Sequence, residues 1–210
     1  MNKNDLEFCE LLCAKFCHDL SGPIGAINNG IDFLDSENSN MKEKAAELVK
    51  LSSNQAVNRL AFFRQAYGSY SADSKVDVMQ LKSLIHKFIQ DTKISVQFDS
   101  NGSQDLEIEH ILSKILLNLV MVTSGIILLN GEIKISFYGK SDLEEIKINA
   151  VGPVVKVDED LLTLLKGDIS SVAKTTRNIQ QYYTRYLLDL TDIAVQIQID
   201  KSGVQIDLKI

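Results

Sequence analysis

Residues 8–34, FCELLCAKFCHDLSGPIGAINNGIDFL, are the stretch that decides the fold of this 210-residue chain. From Leu6 onward, apolar or small residues recur in alternating steps of three and four, at Leu6, Cys9, Cys13, Phe16, Leu20, Pro23, Ile27, Gly30, Ile31 and Leu34. This spacing predicts an amphipathic helix whose apolar side packs against other helices. His18 falls about 200° from Phe16 and Leu20 around a helix of 3.6 residues per turn, so we expect its imidazole to face water.

The side of the helix that carries His18 is lined by small and polar residues: Lys15, His18, Gly22, Gly25, Asn29 and Asp32. A glycine inside a helix costs roughly 0.5–1 kcal/mol relative to alanine, so the glycines of this helix need a compensating reason. Close approach of another protein's backbone is one such reason. Pro23 cannot donate a hydrogen bond and presses on the carbonyl of Asp19, so we expect a kink or loosened turn that helps to aim the ring.

Composition and charge narrow the classes of partner. The chain is 45% hydrophobic and 24% charged, which is typical of a globular protein. Its formal net charge of −6 argues against general binding to nucleic acids or anionic membranes, because both need a basic surface. A protein partner is therefore expected.

The N-terminus and the longest apolar stretch together predict a cytoplasmic protein with no membrane span. The N-terminus, MNKNDLEFCE, has charges where a secretory signal needs an apolar run. The longest apolar stretch, 111–129, includes Lys114 and Asn118, so it predicts a buried helix.

Three cysteines, Cys9, Cys13 and Cys17, repeat every four residues in the first helix. This spacing is too local for a disulfide framework, and it predicts buried, reduced thiols. Cys13 and Cys17-His18 bear some likeness to a haem attachment site, but that motif has two intervening residues instead of three. We expect neither a metal nor a haem here.

A second long helix is predicted from Met41 to about Tyr70, after the polar connector SENSN at 36–40. Two long helices with a short connection form an antiparallel hairpin, and two hairpins bury their apolar sides as a four-helix bundle, so we expect a homodimer. Folding the hairpin at residues 38 and 39 brings Arg59 level with His18. Arg59 is then either close to a phosphoryl group or a solvated flank of the helix.

The remainder of the chain mixes helices with mostly antiparallel strands, so we predict an α+β fold with the boundary in the linker YGSYSADSK at 67–75. Domain one is 1–72 and domain two is 73–210. The predicted strands are 76–78, 95–99, 132–138, 144–150, 194–200 and 204–208. The predicted helices are 79–90, 107–129, 158–166 and 179–190.

The segment LLCAKFCHDLSGPIGAINNGIDFL resembles the phosphoacceptor region of the ChpT-type histidine phosphotransferases. LAFFRQAYG at 60–68 and RNIQQYYTRYLLDL at 177–190 are similar to later helices of that family, so the likeness covers nearly the whole chain. The core His-Asp-Leu-x-x-Pro is shared with sensor histidine kinases, and by itself it indicates only a phosphoacceptor helix.

The resemblance implies a dimer of helical hairpins, each followed by a domain shaped like a histidine-kinase ATPase domain that no longer uses nucleotide. It implies that His18 accepts a phosphoryl group from the receiver domain of a hybrid histidine kinase. His18 then passes the group to the receiver domain of a response regulator. Asp19 matches the acidic neighbour that keeps the imidazole nucleophilic. Magnesium is then supplied by the receiver domain, and the chain needs no cofactor of its own.

The residues agree with this chemistry. A neutral imidazole is a competent nucleophile, and a carboxylate that holds one ring N–H leaves the other nitrogen free. Adjacent side chains do not face each other on a regular helix, so Asp19 needs a local distortion, acts on a dimer mate, or caps nearby donors. Lys15, one turn before His18, either steadies phosphoryl oxygens or is an ordinary surface lysine. Receiver contacts are expected at Lys15, Gly22, Gly25, Asn29 and Arg59.

The second domain lacks the glycines that hold phosphates in a kinase. Only Gly152 and Gly167 lie between Ala150 and Ile179, so we predict neither ATP binding nor autophosphorylation. Asn118, in LLNLV, matches the magnesium-binding position of kinases, but we expect it to cap a helix or to form hydrogen bonds in the core. Neither His86 nor His110 is followed by an acidic residue as His18 is, and we expect them at the surface or at helix ends.

Two other functions fit the same sequence. One is a divergent sensor kinase that uses ATP, against which the shortage of glycines argues. The other is a non-catalytic dimerisation adaptor in which His18 is incidental.

Overall fold

The computed structural model describes residues 3–69, 74–100, 106–139, 143–157, 159–169 and 171–210, with the backbone alone at 100 and 160. Two long helices come first and a mixture of helices and strands follows, which confirms the predicted α+β class. The helices are α1 (Lys3–Leu34), α2 (Ser39–Tyr67), α3 (Val78–Ile89), α4 (His110–Ile126), α5 (Glu159–Lys166) and α6 (Ile179–Asp189). The strands are β1 (Lys75–Asp77), β2 (Ile94–Ser100), β3 (Glu107–Glu109), β4 (Gly131–Tyr138), β5 (Glu145–Val151), β6 (Ala194–Ile199) and β7 (Gly203–Lys209).

Most predicted elements agree with these bounds to within a few residues, but the single helix predicted over 107–129 is wrong at both ends. Its first residues form β3, which alternates exposed and buried side chains and pairs with β1. The helix ends at Ile126, before the predicted residue 129, because Ile127 forms a β-bridge with Val155. The predicted domain boundary at 72 and 73 lies outside the described residues, on the N-terminal side of Ser74.

The first two helices form an antiparallel hairpin. Asn38 caps α2, because its side-chain oxygen accepts hydrogen bonds from the backbone N–H groups of Asn40 and Met41 at 3.0 and 3.3 Å. The hairpin is closely packed at Gly30, where a Cβ atom would lie 2.6 Å from Val49 Cγ2 and 3.3 Å from the Ala45 carbonyl oxygen. The α2 backbone therefore explains this glycine, and no visiting protein is needed to explain it.

The apolar side of α1 is only partly used in the hairpin. Pro23 and Gly30 are buried, Phe16, Leu20 and Ile27 are half-buried, and other apolar side chains are exposed. The prediction of buried thiols is wrong for this chain, since Cys9, Cys13 and Cys17 are all exposed. For Cys13 and Cys17 the reason is geometric: they share a flank of α1 with the exposed Ile24 and Ile31, whereas α2 covers the flank that contains Pro23 and Gly30.

The remaining elements build a sandwich around a five-stranded sheet with the order β2-β4-β5-β7-β6. β2 and β4 are parallel and the other pairs are antiparallel, as predicted for a mostly antiparallel sheet. Helix α4 is buried along most of its length, and its leucines share one core with the inward side chains of β4, β5 and β7. None of the helices in the described ranges is long and apolar enough to cross a bilayer.

The hairpin is joined to the sandwich by core packing and by buried hydrogen bonds. Phe62 and Phe63 of α2 belong to the sandwich core, and Phe62 stacks on Phe88 of α3 with ring centroids 4.0 Å apart. Tyr67 donates to the side-chain oxygen of Gln180, which in turn donates to Asn118. The end of α2 is thereby held against both α4 and α6.

Candidate functional site

His18 lies near the middle of α1 with 86% of its side chain exposed, which agrees with the position predicted from helical periodicity. Its Nδ1 atom is 3.2 Å from Oδ1 of Asp19. A carboxylate can only accept a hydrogen bond, so this contact places the ring proton on Nδ1. The Nε2 atom then keeps its lone pair and is available as a nucleophile.

Asp19 connects His18 to Lys15. Its Oδ2 atom forms an ion pair with Lys15 one turn earlier, while Oδ1 faces the imidazole. Adjacent side chains do not face each other on a regular helix, yet here the carboxylate bends toward the ring and uses its two oxygens for two partners. The carboxylate is mostly buried, with 20% of the side chain exposed, and this favours a fixed orientation.

The turn after His18 is completed by a side chain from α2. Pro23 has no N–H, so the carbonyl oxygen of Asp19 lacks the donor that the fourth residue onward normally supplies. Arg59 donates from Nη1 to that oxygen at 2.7 Å. The structure therefore places Arg59 beside the turn that follows His18, at the level predicted from the hairpin geometry.

The surface of α1 next to His18 is open to solvent. At Gly22 and Gly25 a Cβ atom would have no neighbour within 4 Å, and Asn29 farther along α1 is exposed. On α2, the apolar side chains of Leu48 and Leu51 are 41% and 58% exposed. They precede Arg59 by eleven and eight residues, about three and two helical turns, so they share its side of the helix.

Residues 78–203, more than half of the chain, match the family described as the histidine phosphotransferase C-terminal domain. The chain belongs to the histidine phosphotransferase family. It is 28% identical to protein phosphotransferase ChpT of Brucella abortus (strain 2308) over 193 residues, which cover 91% of this chain and 90% of that protein. A solved structure of a bacterial phosphotransferase has the same fold, with a TM-score of 0.84, 24% identity and coverage of 100% of this chain and 98% of that one.

In this phosphotransferase Asn118 is a structural residue of the core. Its side chain is fully buried, and its Nδ2 atom donates to the carbonyl oxygens of Ala66 at 3.2 Å and Lys114 at 2.7 Å. Its Oδ1 atom accepts from Gln180. These bonds favour the core hydrogen-bonding role over a position facing a metal ion. Within the described ranges, no three His, Cys, Asp or Glu side chains form a group that could hold a metal.

The other two histidines occupy structural positions. His86 of α3 is exposed and packs edge-on against Phe98, with ring centroids 5.3 Å apart. His110 is the first residue of α4 and is buried, and its Nε2 atom lies 3.2 Å from Nε2 of Gln65. Burial, together with the charge of Lys114, lowers the pKa of His110 below its ordinary value.

Sequence reasoning missed the polar residues that join the hairpin to the sandwich. The hydroxyl of Tyr67 is buried, and burial followed by the charge of Asp19 raises the pKa of Tyr67 above its ordinary value. Its partner Gln180 is 113 residues away in the chain. No local spacing links two residues so far apart, so the sequence contained no signal for this pair.

Proposed function

We propose that this histidine phosphotransferase acts in a phosphorelay by carrying a phosphoryl group between receiver-domain aspartates through His18, without using ATP. The observation that supports this most directly is an almost fully exposed imidazole with one nitrogen held by Asp19 and the other free. Family membership supports the phosphotransferase class. The cytoplasm, where receiver domains are found, is the proposed location.

The proposed reaction follows from the ring geometry. The lone pair on Nε2 of His18 attacks the phosphorus of an aspartyl phosphate on the donor receiver. The new N–P bond forms as the bond from phosphorus to the aspartate oxygen breaks, and the electron pair leaves with the donor carboxylate. The ring, still protonated at Nδ1, becomes cationic, and the carboxylate of Asp19 stabilises that charge. The recipient aspartate then attacks the phosphorus, and Nε2 is the leaving group.

The residues around His18 suit the docking of a receiver domain. Gly22 and Gly25 leave open space for another backbone, and Asn29 offers hydrogen bonds beside them. We propose that Lys15 and Arg59 add positive charge at the edge of this surface. A receiver domain presents acidic residues around its phosphoacceptor aspartate, and it brings the Mg²⁺ that the transfer requires.

We propose that the sandwich domain neither binds Mg-ATP nor phosphorylates His18. A kinase domain must move so that its nucleotide reaches the histidine. Here two side chains of α4 hold the C-terminal end of α2. Asn118 donates a hydrogen bond to the carbonyl oxygen of Ala66, and Lys114 donates one to the carbonyl oxygen of Gly68 at 3.0 Å. Tyr67 and Gln180 add a buried bond, whose loss would leave unpaired polar groups in the core. This junction favours a fixed platform over a mobile kinase domain.

A homodimer with a four-helix bundle is the proposed assembly. Exposed apolar side chains follow one flank of α1, at Leu6, Ile24 and Ile31, with 45%, 54% and 51% of each exposed. Cys13 and Cys17 lie on the same flank. A contiguous apolar flank on a long helix is typical of a surface that a second copy covers.

Incubation with a phosphorylated receiver domain tests the proposal. Wild-type protein should become labelled and should then pass the label to a second, unphosphorylated receiver, whereas His18→Ala should do neither. His86→Ala is the matched control, because His86 is also an exposed helical histidine, and it should transfer at the wild-type rate. If the protein were a non-catalytic adaptor, His18→Ala would leave phosphate transfer between the receivers unchanged. If the protein were a sensor kinase, incubation with labelled ATP alone would label His18.

A further inference from the structure

A cavity of about 450 Å³ lies between the hairpin and the sandwich, close to His18. Lys15, Asp19 and Arg59 line it from the hairpin, and Lys156 and Arg177 line it from the sandwich. Its volume is within the range of small-molecule sites in proteins, about 300–1,000 Å³. The transfer chemistry proposed for Nε2 of His18 does not use this space.

The cavity has an excess of positive charge, although the chain as a whole carries −6. Four cationic side chains and one carboxylate are found among its described lining residues. Lys15 is paired with Asp19, whereas Arg59, Lys156 and Arg177 form no ion pair with the described part of the chain. Cations gathered around a cleft with low-dielectric walls concentrate positive potential and attract anions. Arginine and lysine together are typical of phosphate recognition.

A buried acceptor in the same cavity needs a donor. The Oε1 atom of Gln181 is buried and has no hydrogen-bond partner among the described residues, and Gln181 lines the cavity. An unsatisfied buried polar group costs about 1–3 kcal/mol, so a ligand that donates an N–H or O–H to this oxygen would recover part of that free energy. The ligand should therefore combine negative charge with a donor.

The lining argues against a magnesium complex. Magnesium prefers carboxylate and phosphate oxygens as ligands. Asp19 is the only carboxylate among the described lining residues, and Lys15 already occupies it. We propose that this cavity binds a small phosphorylated anion, free of metal, that donates a hydrogen bond to Gln181. Pyrophosphate is a suitable probe, because it is multiply charged and keeps a P–OH group at neutral pH.

Isothermal titration calorimetry of the full chain with sodium pyrophosphate tests the proposal. We expect saturable binding of one pyrophosphate per chain, weakened at least about tenfold in Lys156→Gln, in Arg177→Gln and in the isosteric, anionic Gln181→Glu. Added magnesium should weaken binding as well. The matched control is Lys209→Gln, which removes an exposed lysine of the same domain at the end of β7 and should bind as the wild type does.

Two results would overturn the proposal. One is the absence of saturable heat up to about 10 mM pyrophosphate. The other is an equal loss of affinity in Lys209→Gln and Lys156→Gln, which would indicate general attraction of the anion to surface charge. The titration contains no receiver domain, so its outcome is independent of whether His18 transfers phosphate.

Discussion

Arg59 of α2 donates a hydrogen bond of 2.7 Å to the backbone carbonyl of Asp19 in α1, forty residues earlier in the chain. That carbonyl has no helical donor because residue 23 is a proline. The guanidinium therefore replaces the missing backbone N–H in the turn that carries His18, and it does so from the other helix of the hairpin. A helix of 32 residues thus continues through Pro23 with its polar groups satisfied.

Replacement of Arg59 should destabilise the hairpin in a way that depends on Pro23. Arg59→Met should lower the free energy of unfolding by about 1.5–3 kcal/mol, the usual value of a lost hydrogen bond with a charged donor. In a Pro23→Ala background the loss should be about 1 kcal/mol smaller, since the alanine supplies the backbone donor that the proline lacks. Urea unfolding at one fixed protein concentration measures both values. Arg64→Met removes an exposed arginine of the same helix and should have little effect. Equal losses in both backgrounds would show that Arg59 does not replace the missing donor.

Asp19→Asn should slow phosphotransfer without weakening the docking of a receiver domain. An asparagine can present its amide N–H to Nδ1 and favour the wrong ring tautomer, and it cannot stabilise a cationic ring. We expect a rate loss of about 100-fold, at the lower end of what a partner of a catalytic imidazole contributes. Single-turnover transfer from a phosphorylated receiver gives the rate, and its concentration dependence gives the affinity. Asp35→Asn, at an exposed carboxylate just beyond α1, is the control. A loss of affinity with an unchanged maximal rate would assign Asp19 to docking.

Two glycines of α1 should respond in opposite directions to the same substitution. Gly30→Ala should destabilise the fold by about 1–3 kcal/mol, because the new methyl group would lie 2.6 Å from Val49 Cγ2. Gly22→Ala should stabilise it by about 0.5–1 kcal/mol, since nothing lies within 4 Å and alanine favours the helix. Thermal and urea unfolding report both changes. Val49→Ala should relieve part of the cost at Gly30. A destabilising Gly22→Ala would mean that this surface is already covered, for example by a second copy.

Stability should depend on pH through His110. Its pKa lies below the ordinary value in the folded chain because burial and Lys114 disfavour the imidazolium. The unfolded chain therefore binds the proton more tightly, so this contribution is fully present above about pH 6.5 and is lost as the pH falls below it. The urea midpoint of wild-type protein should fall more steeply between about pH 6.5 and 5 than that of His110→Gln. His86→Gln, at an exposed histidine, should keep the wild-type slope. Identical slopes in all three proteins would contradict this assignment.

The exposed flank of α1 provides a test of the proposed homodimer. Ile24→Lys places a charge in the middle of that flank, so it should yield a monomeric mass in analytical ultracentrifugation at micromolar concentration. Leu190→Lys is the control: this leucine is 75% exposed but lies at the end of α6 in the sandwich, and its substitution should leave the mass of the proposed dimer unchanged. A monomeric mass for wild-type protein at the same concentration would refute the homodimer.

Local patterns predict the individual elements well and predict their packing poorly. The strands around the Lys201-Ser202-Gly203 turn follow from alternation and turn residues, and the structure contains that hairpin. A helix is wrongly predicted at Glu107–Glu109 because the short apolar pattern is ambiguous until β1 is placed beside it. Burial is wrongly predicted for Cys13 and Cys17 because spacing shows only that they belong to the apolar side of α1, and not which flank of that side α2 covers.

The sequence by itself determined that His18 faces outward on a long amphipathic helix, with the small residues Gly22 and Gly25 beside it, because helical periodicity is a local property of the chain. Only the tertiary structure decided which groups surround that helix: Arg59 at the Asp19 carbonyl, Tyr67 at Gln180, and the cationic cavity against the sandwich. These contacts join residues that are far apart in the chain. Their geometry depends on how whole helices pack, and no short-range spacing encodes it.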